Sequence, residues 1–148
     1  MPPVRSILCP TDFSEPAHAA LAYAVDIAKA FGARITLLHV VQPTAYPLHN
    51  LASISGFPNL RDELKKGVDA DMAQTRTRVP ADLQVDAVVR DGVPHEEIIA
   101  AAAEHGCDLI VMATHGHTGL KHALLGSNAE RVVRLSPCPV LTLRNKGH

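Results

Sequence analysis

The chain has 148 residues, of which 47% are hydrophobic and 20% are charged. These values are typical of a folded domain with its own core, which excludes disorder over most of the chain, and we expect a single domain over residues 1–148. The net charge of −1 gives no general attraction to nucleic acid or to an anionic membrane. No apolar run approaches the roughly 18 residues of a membrane span, and the N-terminus lacks a signal-peptide pattern. We therefore expect a cytoplasmic protein that has neither nucleic-acid nor membrane partners.

Short apolar runs alternate with amphipathic stretches along the chain. The runs predict five strands, at residues 4–9, 34–41, 83–90, 108–113 and 139–144. A first helix is predicted between Ser14, a suitable N-cap, and Gly32, a suitable end. Its apolar positions are Leu21, Ala24, Ala28 and Phe31. Three further helices are predicted, the second by the four-residue apolar spacing from Leu60 to Met72 and the others at residues 94–104 and 127–135.

Helices placed between successive strands imply parallel neighbours that are joined by right-handed crossovers. We expect a single-domain α/β fold, which is a doubly wound, Rossmann-like, five-stranded parallel sheet in the order 3-2-1-4-5 with helices on both faces. Ligands of such sheets bind beyond the carboxyl ends of the strands, where the strand order reverses. The candidate site loops are therefore residues 10–13, 41–43, 90–94 and 114–127.

The first candidate loop follows the first strand and contains Pro10, Thr11 and Asp12. A carboxylate at a switch point commonly accepts a hydrogen bond from a ribose hydroxyl. The alternative is that Asp12 only helps to cap the next helix. The residue pattern leaves both interpretations open.

The second candidate loop follows the fourth strand and contains Gly116, Gly126 and Ser127. Gly126 directly precedes a predicted helix, whose first-turn N–H groups and dipole favour a phosphate, and glycine lets the backbone approach it closely. The Ser127 hydroxyl can add a hydrogen bond. The alternative is that the glycines only form turns and that Ser127 is an N-cap.

Several common catalytic patterns are absent from the sequence. It has no P-loop, no dinucleotide-binding glycine motif after the first strand and no nucleophile elbow. The three histidines of the second loop, His115, His117 and His122, have no acid or cysteine in that loop to complete a zinc site, so we expect no metal there. His39, at the end of the second strand, is interpreted as a core histidine.

The three cysteines are not spaced as metal ligands or as the disulfide framework of a small secreted protein. Cys9 has no histidine that the sequence places beside it as a base, so a cysteine nucleophile is disfavoured. Cys107 and Cys138 open the fourth and fifth strands, and their sulfurs would lie close together if those strands are neighbours. Apolar burial is the preferred interpretation for this pair in a reducing compartment.

Several stretches together resemble the universal stress protein family. They are residues 7–14 (ILCPTDFS), 37–40 (LLHV), 91–98 (DGVPHEEI), 124–132 (LLGSNAERV) and 136–141 (SPCPVL). The resemblance covers essentially the whole chain. The nucleotide-binding branch of the family carries the motif G-x₂-G-x₉-G-[ST], and here Gly116, Gly126 and Ser127 occupy its last three fixed positions. Ala113 departs from the motif at the first.

The resemblance implies that the chain binds ATP or another adenine nucleotide, with Mg²⁺ held through the phosphates. It places the ribose at Asp12, adenine between Val40 and Met112, and the phosphates at the backbones of Gly116 and of residues 126–127. Asn128 stands where the family often has valine. The full predicted nucleotide site is Pro10, Thr11, Asp12, Val40, Met112, Ala113, Thr114, His115, Gly116, Gly126, Ser127, Asn128 and Ala129.

The function implied by the resemblance is that of a nucleotide-sensing stress-response factor that acts through dimerisation and partner binding. No catalytic residue is predicted, because the family lacks a strong catalytic constellation. Two alternatives stay open, namely a slow ATPase or nucleotide transferase, and an interaction module that has lost its nucleotide.

The fifth strand also predicts a homodimer. In a sheet of this order it lies at an edge, and its sequence is apolar and prone to form β-structure, as the residues Val140, Leu141, Thr142 and Leu143 show. Such an edge is normally covered or paired, and pairing with the same strand of a second copy gives a closed two-fold dimer. The alternative is a monomer whose edge is shielded by strand twist and by Arg144 and Lys146.

Overall fold

The computed structural model describes residues 3–42, 60–115 and 125–144. Within them, five parallel strands form one sheet in the order β3-β2-β1-β4-β5. The elements in chain order are β1 (Ser6–Pro10), α1 (Glu15–Phe31), β2 (Arg34–Val41), α2 (Leu60–Arg76), β3 (Val85–Asp91), α3 (Pro94–Glu104), β4 (Leu109–Ala113), α4 (Ser127–Leu135) and β5 (Val140–Leu143). The predicted fold class and strand order are confirmed.

Four of the five strands begin later than their predicted apolar runs, by two residues in β1 and β3 and by one residue in β4 and β5. β1 begins at residue 6, where Ser6 first pairs with Arg34 of β2, although Val4 before it is already buried. β3 begins at Val85, because the N–H of Leu83 donates to the carbonyl of Pro80 in a turn. Hydrophobicity marks which residues are buried, whereas membership of a strand also requires a partner for the backbone.

The ends of α1 follow the predicted local signals. Ser14 is the N-cap, and its hydroxyl oxygen accepts a hydrogen bond from a first-turn backbone N–H at 3.3 Å. Gly32 ends the helix in the left-handed conformation with φ of 68°. Leu21 and Ala24 are buried as expected, but Phe31 is 56% exposed. The predicted apolar face is therefore wrong at the last residue of the helix.

The sheet buries a core on each face. Alternate residues of β1 and β2 separate the two cores: Cys9 and Leu37 pack on the side of α1 and α2, and Leu8 and Leu38 pack on the side of α3 and α4. Both clusters contain residues from the central strands and from their own helices, which is the arrangement of a doubly wound sheet. No helix in the described residues is long and apolar enough to cross a membrane.

All three cysteines are free thiols. Cys9 is fully buried, and burial raises its pKa to about 12. Burial also raises the pKa values of Cys107 and of Cys138. Cys138 is only half-buried, so the predicted apolar burial is incomplete at this residue.

Candidate functional site

A cavity of about 460 Å³ opens at the carboxyl ends of β1, β2 and β4. The strand order reverses between β1 and β4, so the cavity lies at the switch point where ligands of doubly wound sheets bind. Twelve of the predicted site residues line it: Pro10, Thr11, Asp12, Val40, Met112, Ala113, Thr114, His115, Gly126, Ser127, Asn128 and Ala129. Gly116 lies outside the described residues. Six further residues line the cavity: Gln42 and Pro94 belong to the candidate loops 41–43 and 90–94, whereas the sequence interpretation missed Ala17, Leu38, His39 and Ile98.

Asp12 contacts the start of α1. Its Oδ1 accepts hydrogen bonds from the backbone N–H of Ser14, at 3.0 Å, and from the Ser14 hydroxyl. Ser14 is itself the N-cap of α1, so the carboxylate orients the capping residue. Asp12 also lines the cavity. The two interpretations left open by the sequence are therefore compatible, because a carboxylate that supports the cap also faces the site.

The loop between β1 and α1 has an unusual backbone at Phe13. This residue has φ of 65°, the left-handed region that bulky residues rarely adopt. Its N–H donates to the Thr11 hydroxyl oxygen at 3.1 Å, and its ring centroid lies 4.5 Å from that of His39. His39 is half-buried and also lines the cavity, so its interpretation as a core histidine holds only in part.

Gly126 brings the start of α4 against the end of β4. Its N–H donates to the carbonyl oxygen of Thr114 at 3.0 Å, and an ideal Cβ built on Gly126 would lie 2.5 Å from that oxygen. Its φ of −58° is accessible to any residue. Glycine is therefore required here by the close approach of two backbones and not by an unusual dihedral angle.

The first turn of α4 faces the cavity without a side-chain cap. Gly126 is the N-cap and Ser127 is the first helical residue, so the alternative that Ser127 caps the helix is wrong. Among the described residues no side chain caps this turn. The first N–H groups of a helix have no partner within the helix, and the helix dipole adds positive potential there. This end of the cavity is suited to an anion.

Two buried polar atoms beside this turn have no hydrogen-bond partner among the described residues, namely Nε2 of His115 and Oδ1 of Asn128. The other ring nitrogen of His115 lies 3.1 Å from the Thr114 hydroxyl oxygen. The Cδ2 atom of the ring lies 3.8 Å from the Cβ position of Gly126, which places the imidazole beside the helix start. An unpaired buried polar group is costly, so these two atoms favour a polar ligand.

Part of the cavity wall is apolar. Met112 and Ile98 are buried and belong to the core cluster on the α3–α4 side, and Val40 packs against that cluster. All three line the cavity. A cavity that combines an apolar wall with a polar helix end suits a ligand with a flat ring and a charged group.

An ion-pair group at the end of β3 connects that strand to α3. Arg90 lies 3.6 Å from the carboxylate of Glu97 and also pairs with Glu104. The hydrogen bond from Arg90 lowers the pKa of Glu104. Because α3 carries the lining residues Pro94 and Ile98, these pairs help to orient one wall of the cavity.

A metal centre built from side chains finds no support in the part of the chain that the structure describes. There, no three His, Cys, Asp or Glu side chains are grouped so that they could hold a metal ion. His117 and His122 lie outside the described residues.

The fold is that of a doubly wound α/β protein with a cavity at its switch point. Residues 3–144 match the universal stress protein family, and the chain belongs to this family. It is 31% identical over 155 residues to the universal stress protein MJ0577 of Methanocaldococcus jannaschii, with 96% of each chain covered.

Solved structures agree with this assignment. The MJ0577 structure superposes with a TM-score of 0.87 over 99% of this chain and 100% of that chain. The universal stress protein UspA from Lactobacillus plantarum is 28% identical and has a TM-score of 0.75, with 97% and 100% covered. A universal stress protein solved in complex with cAMP is 23% identical, has a TM-score of 0.68 and shares the fold, with 97% and 98% covered.

Proposed function

We propose that this protein binds an adenine nucleotide, ATP in the first instance, in the switch-point cavity and acts as a nucleotide-sensing stress-response protein. One observation carries the proposal. Among the described residues, the first turn of α4 has no side-chain cap, and it lies in the same cavity as an apolar wall and two buried polar atoms without a described partner, Nε2 of His115 and Oδ1 of Asn128. A nucleotide has a flat base that suits the apolar wall and charged phosphates that suit the helix start and the polar atoms.

The residues present fit such a ligand. Adenine would lie against Val40 and Met112, the ribose near Asp12, and the phosphates at the first turn of α4 beyond Gly126, with Mg²⁺ held through them. Phosphate binding at helix N-termini is a general consequence of free N–H groups and the helix dipole. The cAMP complex of a related protein supports the proposal, because it is an example of this fold with an adenine nucleotide.

A thermal-shift titration with Mg-ATP tests the binding. At a hundredfold excess over Kd, the expected gain in the free energy of unfolding is about 2.7 kcal/mol. For a chain of this size, that gain corresponds to a rise of about 5–11 °C in melting temperature. No shift at millimolar Mg-ATP would contradict the proposal, and an equal shift with GTP would contradict selectivity for adenine.

Asp12→Asn is the sharpest variant for this site. The amide keeps an oxygen for the contacts with Ser14 but loses the charge. We expect binding to weaken by about 1–2 kcal/mol, because a neutral oxygen is a weaker acceptor than a carboxylate. Asp86→Asn, on the exposed side of the edge strand β3, is the matched control and should bind as the wild type does. If the wild type, Asp12→Asn and Asp86→Asn bind Mg-ATP with the same affinity, the ribose does not lie at Asp12.

Single-turnover measurements on the bound nucleotide distinguish the modes of action. A nucleotide sensor retains ATP with at most slow hydrolysis. Stoichiometric conversion to ADP within minutes would favour the slow ATPase or transferase, and the absence of any bound nucleotide would favour an interaction module.

We propose in addition that β5 pairs with the same strand of a second copy. The N–H groups of Ile110, in β4, and of Thr114, directly after β4, donate to the carbonyls of Pro139 and Leu143. Because the hydrogen-bonding groups of successive residues point to opposite sides of a strand, the N–H of Thr142 faces away from β4, toward the free edge. A partner strand would satisfy these outward groups in both copies.

A further inference from the structure

The imidazole of His39 contacts the loop between β1 and α1 at two places. Its Nδ1 lies 2.8 Å from the carbonyl oxygen of Thr11. Its ring centroid lies 4.5 Å from that of Phe13, with 33° between the ring planes. The two contacts lie on either side of Asp12 in the chain.

The contact with Thr11 determines the tautomer of His39. A carbonyl oxygen only accepts hydrogen bonds, so Nδ1 must carry the proton. Nδ1 keeps this proton whether the ring is neutral or cationic, so the contact persists in both states. His39 therefore donates a hydrogen bond to the loop backbone in both protonation states of the ring.

The backbone of Phe13 needs such support. A bulky residue with φ of 65° is strained, and such conformations persist only where several contacts determine them. The contacts here are the 3.1 Å hydrogen bond from Phe13 N–H to the Thr11 hydroxyl and the ring contact with His39. On the other side, Ser14 donates to the Asp12 carboxylate. Asp12 thus lies between two sets of contacts, one from β2 and one from the start of α1.

His39 lines the cavity, but its side chain extends from the side of β2 that is opposite to Val40, the predicted adenine contact. Side chains alternate along β2. Leu38 packs within the cluster on the α3–α4 side and Val40 against it, whereas Leu37 belongs to the cluster on the α1–α2 side. His39 therefore points to the side of Leu37 and of Phe13, which packs against that same cluster. The predicted adenine wall at Val40 is on the other side.

We infer that His39 is a positioning residue for the nucleotide site: it holds Thr11 and Phe13 so that the carboxylate of Asp12 stays at the cavity wall. The inference rests on the proposed nucleotide binding for its affinity readout. On this inference, a side chain at the end of β2 fixes the conformation of the loop that follows β1. No contact between His39 and the ligand is required.

Two substitutions separate the role of the donor from that of the ring. His39→Leu removes the hydrogen bond. His39→Asn places an amide N–H close to the position of Nδ1 and keeps the donor. We expect Kd for Mg-ATP to rise by about five- to tenfold in His39→Leu and by less than about threefold in His39→Asn, from the ordinary value of one hydrogen bond. His105→Leu, at the far end of α3 from the cavity, is the matched control and should leave Kd unchanged.

A nuclear magnetic resonance measurement gives a readout that does not depend on the ligand. Long-range proton–nitrogen correlation spectra of the wild type should show Nδ1 protonated, with Nε2 as the unprotonated nitrogen in the neutral ring. The amide of Phe13 should exchange with solvent faster in His39→Leu than in the wild type and in His39→Asn. Melting temperatures without ligand show whether a variant is destabilised as a whole.

The outcomes are decisive in each case. Unchanged Kd in a folded His39→Leu overturns the inference, as does equal weakening in the asparagine variant. A neutral ring protonated at Nε2 also overturns it. If His39→Leu does not fold, the inference is tested by the Kd of His39→Asn and by the tautomer of His39 in the wild type. If the wild type binds no adenine nucleotide, the proposed function fails, and the exchange of the Phe13 amide together with the tautomer still decides whether His39 positions the loop.

Discussion

Replacing Gly126 with alanine tests the close approach of α4 and β4 with the smallest possible side chain. The added Cβ would lie 2.5 Å from the carbonyl oxygen of Thr114, a separation that real Cβ atoms essentially never show. The two backbones must therefore separate by about half an ångström, which also stretches the 3.0 Å hydrogen bond between Gly126 N–H and the same oxygen. Because φ of Gly126 is −58°, backbone strain contributes nothing to the expected loss.

The expected loss is that of a modestly overpacked site. Such sites cost about 1–3 kcal/mol in the free energy of unfolding. The melting temperature should then fall by about 2–12 °C for a chain of this length. The displaced first turn of α4 should also bind phosphate less well, so the rise in melting temperature with Mg-ATP should be smaller than in the wild type.

Gly67→Ala is the matched control for the same chemical change. Gly67 lies in α2 and is exposed, and beyond its chain neighbours and its own helix backbone no described residue has an atom within 4 Å of its ideal Cβ position. Alanine in a helix interior is more stable than glycine by about 0.5–1 kcal/mol, so this variant should melt at a higher temperature than the wild type. Urea denaturation monitored by circular dichroism measures both variants. Wild-type stability in Gly126→Ala would refute the close approach of the two backbones.

Three further variants test other parts of the molecule. Asn128→Leu should raise the melting temperature of the ligand-free protein, because the buried amide oxygen has no partner among the described residues and such a group costs about 1–3 kcal/mol, and it should reduce the shift with Mg-ATP. Burial raises the pKa of Cys9 from its ordinary value of 9.0 to about 12, so its thiol should resist a thiol reagent at pH 8 until the protein unfolds. The unfolded chain releases this proton first as the pH rises, so stability should fall between pH 9 and about 12, and Cys9→Ala should lose that part of the pH dependence. Thr142→Pro removes an N–H that faces the free edge of β5 and should convert the proposed dimer to a folded monomer in sedimentation velocity at micromolar concentration.

Each of these expectations has a clear contrary result. A lower ligand-free melting temperature in Asn128→Leu would mean that the amide is satisfied. Rapid labelling of native Cys9 would contradict its burial. A wild type that sediments as a monomer with and without ATP would refute pairing through β5, and a dimeric Thr142→Pro variant would place the interface elsewhere.

Local chemistry in the sequence was enough to predict the elements and their order. Ser14 and Gly32 mark the ends of α1 because capping depends on a few neighbouring residues. Alternation of strands and helices implies a parallel, doubly wound sheet because crossover connections allow few other arrangements. The same rule places the ends of β1 and β4 at the switch point, so Asp12 and Gly126 were predictable as residues that line the cavity before their contacts were known.

Contacts between residues distant in the chain were decided only by the tertiary structure. Gly126 is restricted by a carbonyl twelve residues earlier, and no pattern around it shows that approach. The sequence LLHV predicts a buried strand, yet His39 lies near the strand end and reaches the loop after β1, which is 28 residues away. A sequence periodicity reports the face on which a side chain lies. Which backbone that side chain meets depends on how the strands and loops pack, and this is why the candidate residues were predictable and the contacts that position them were not.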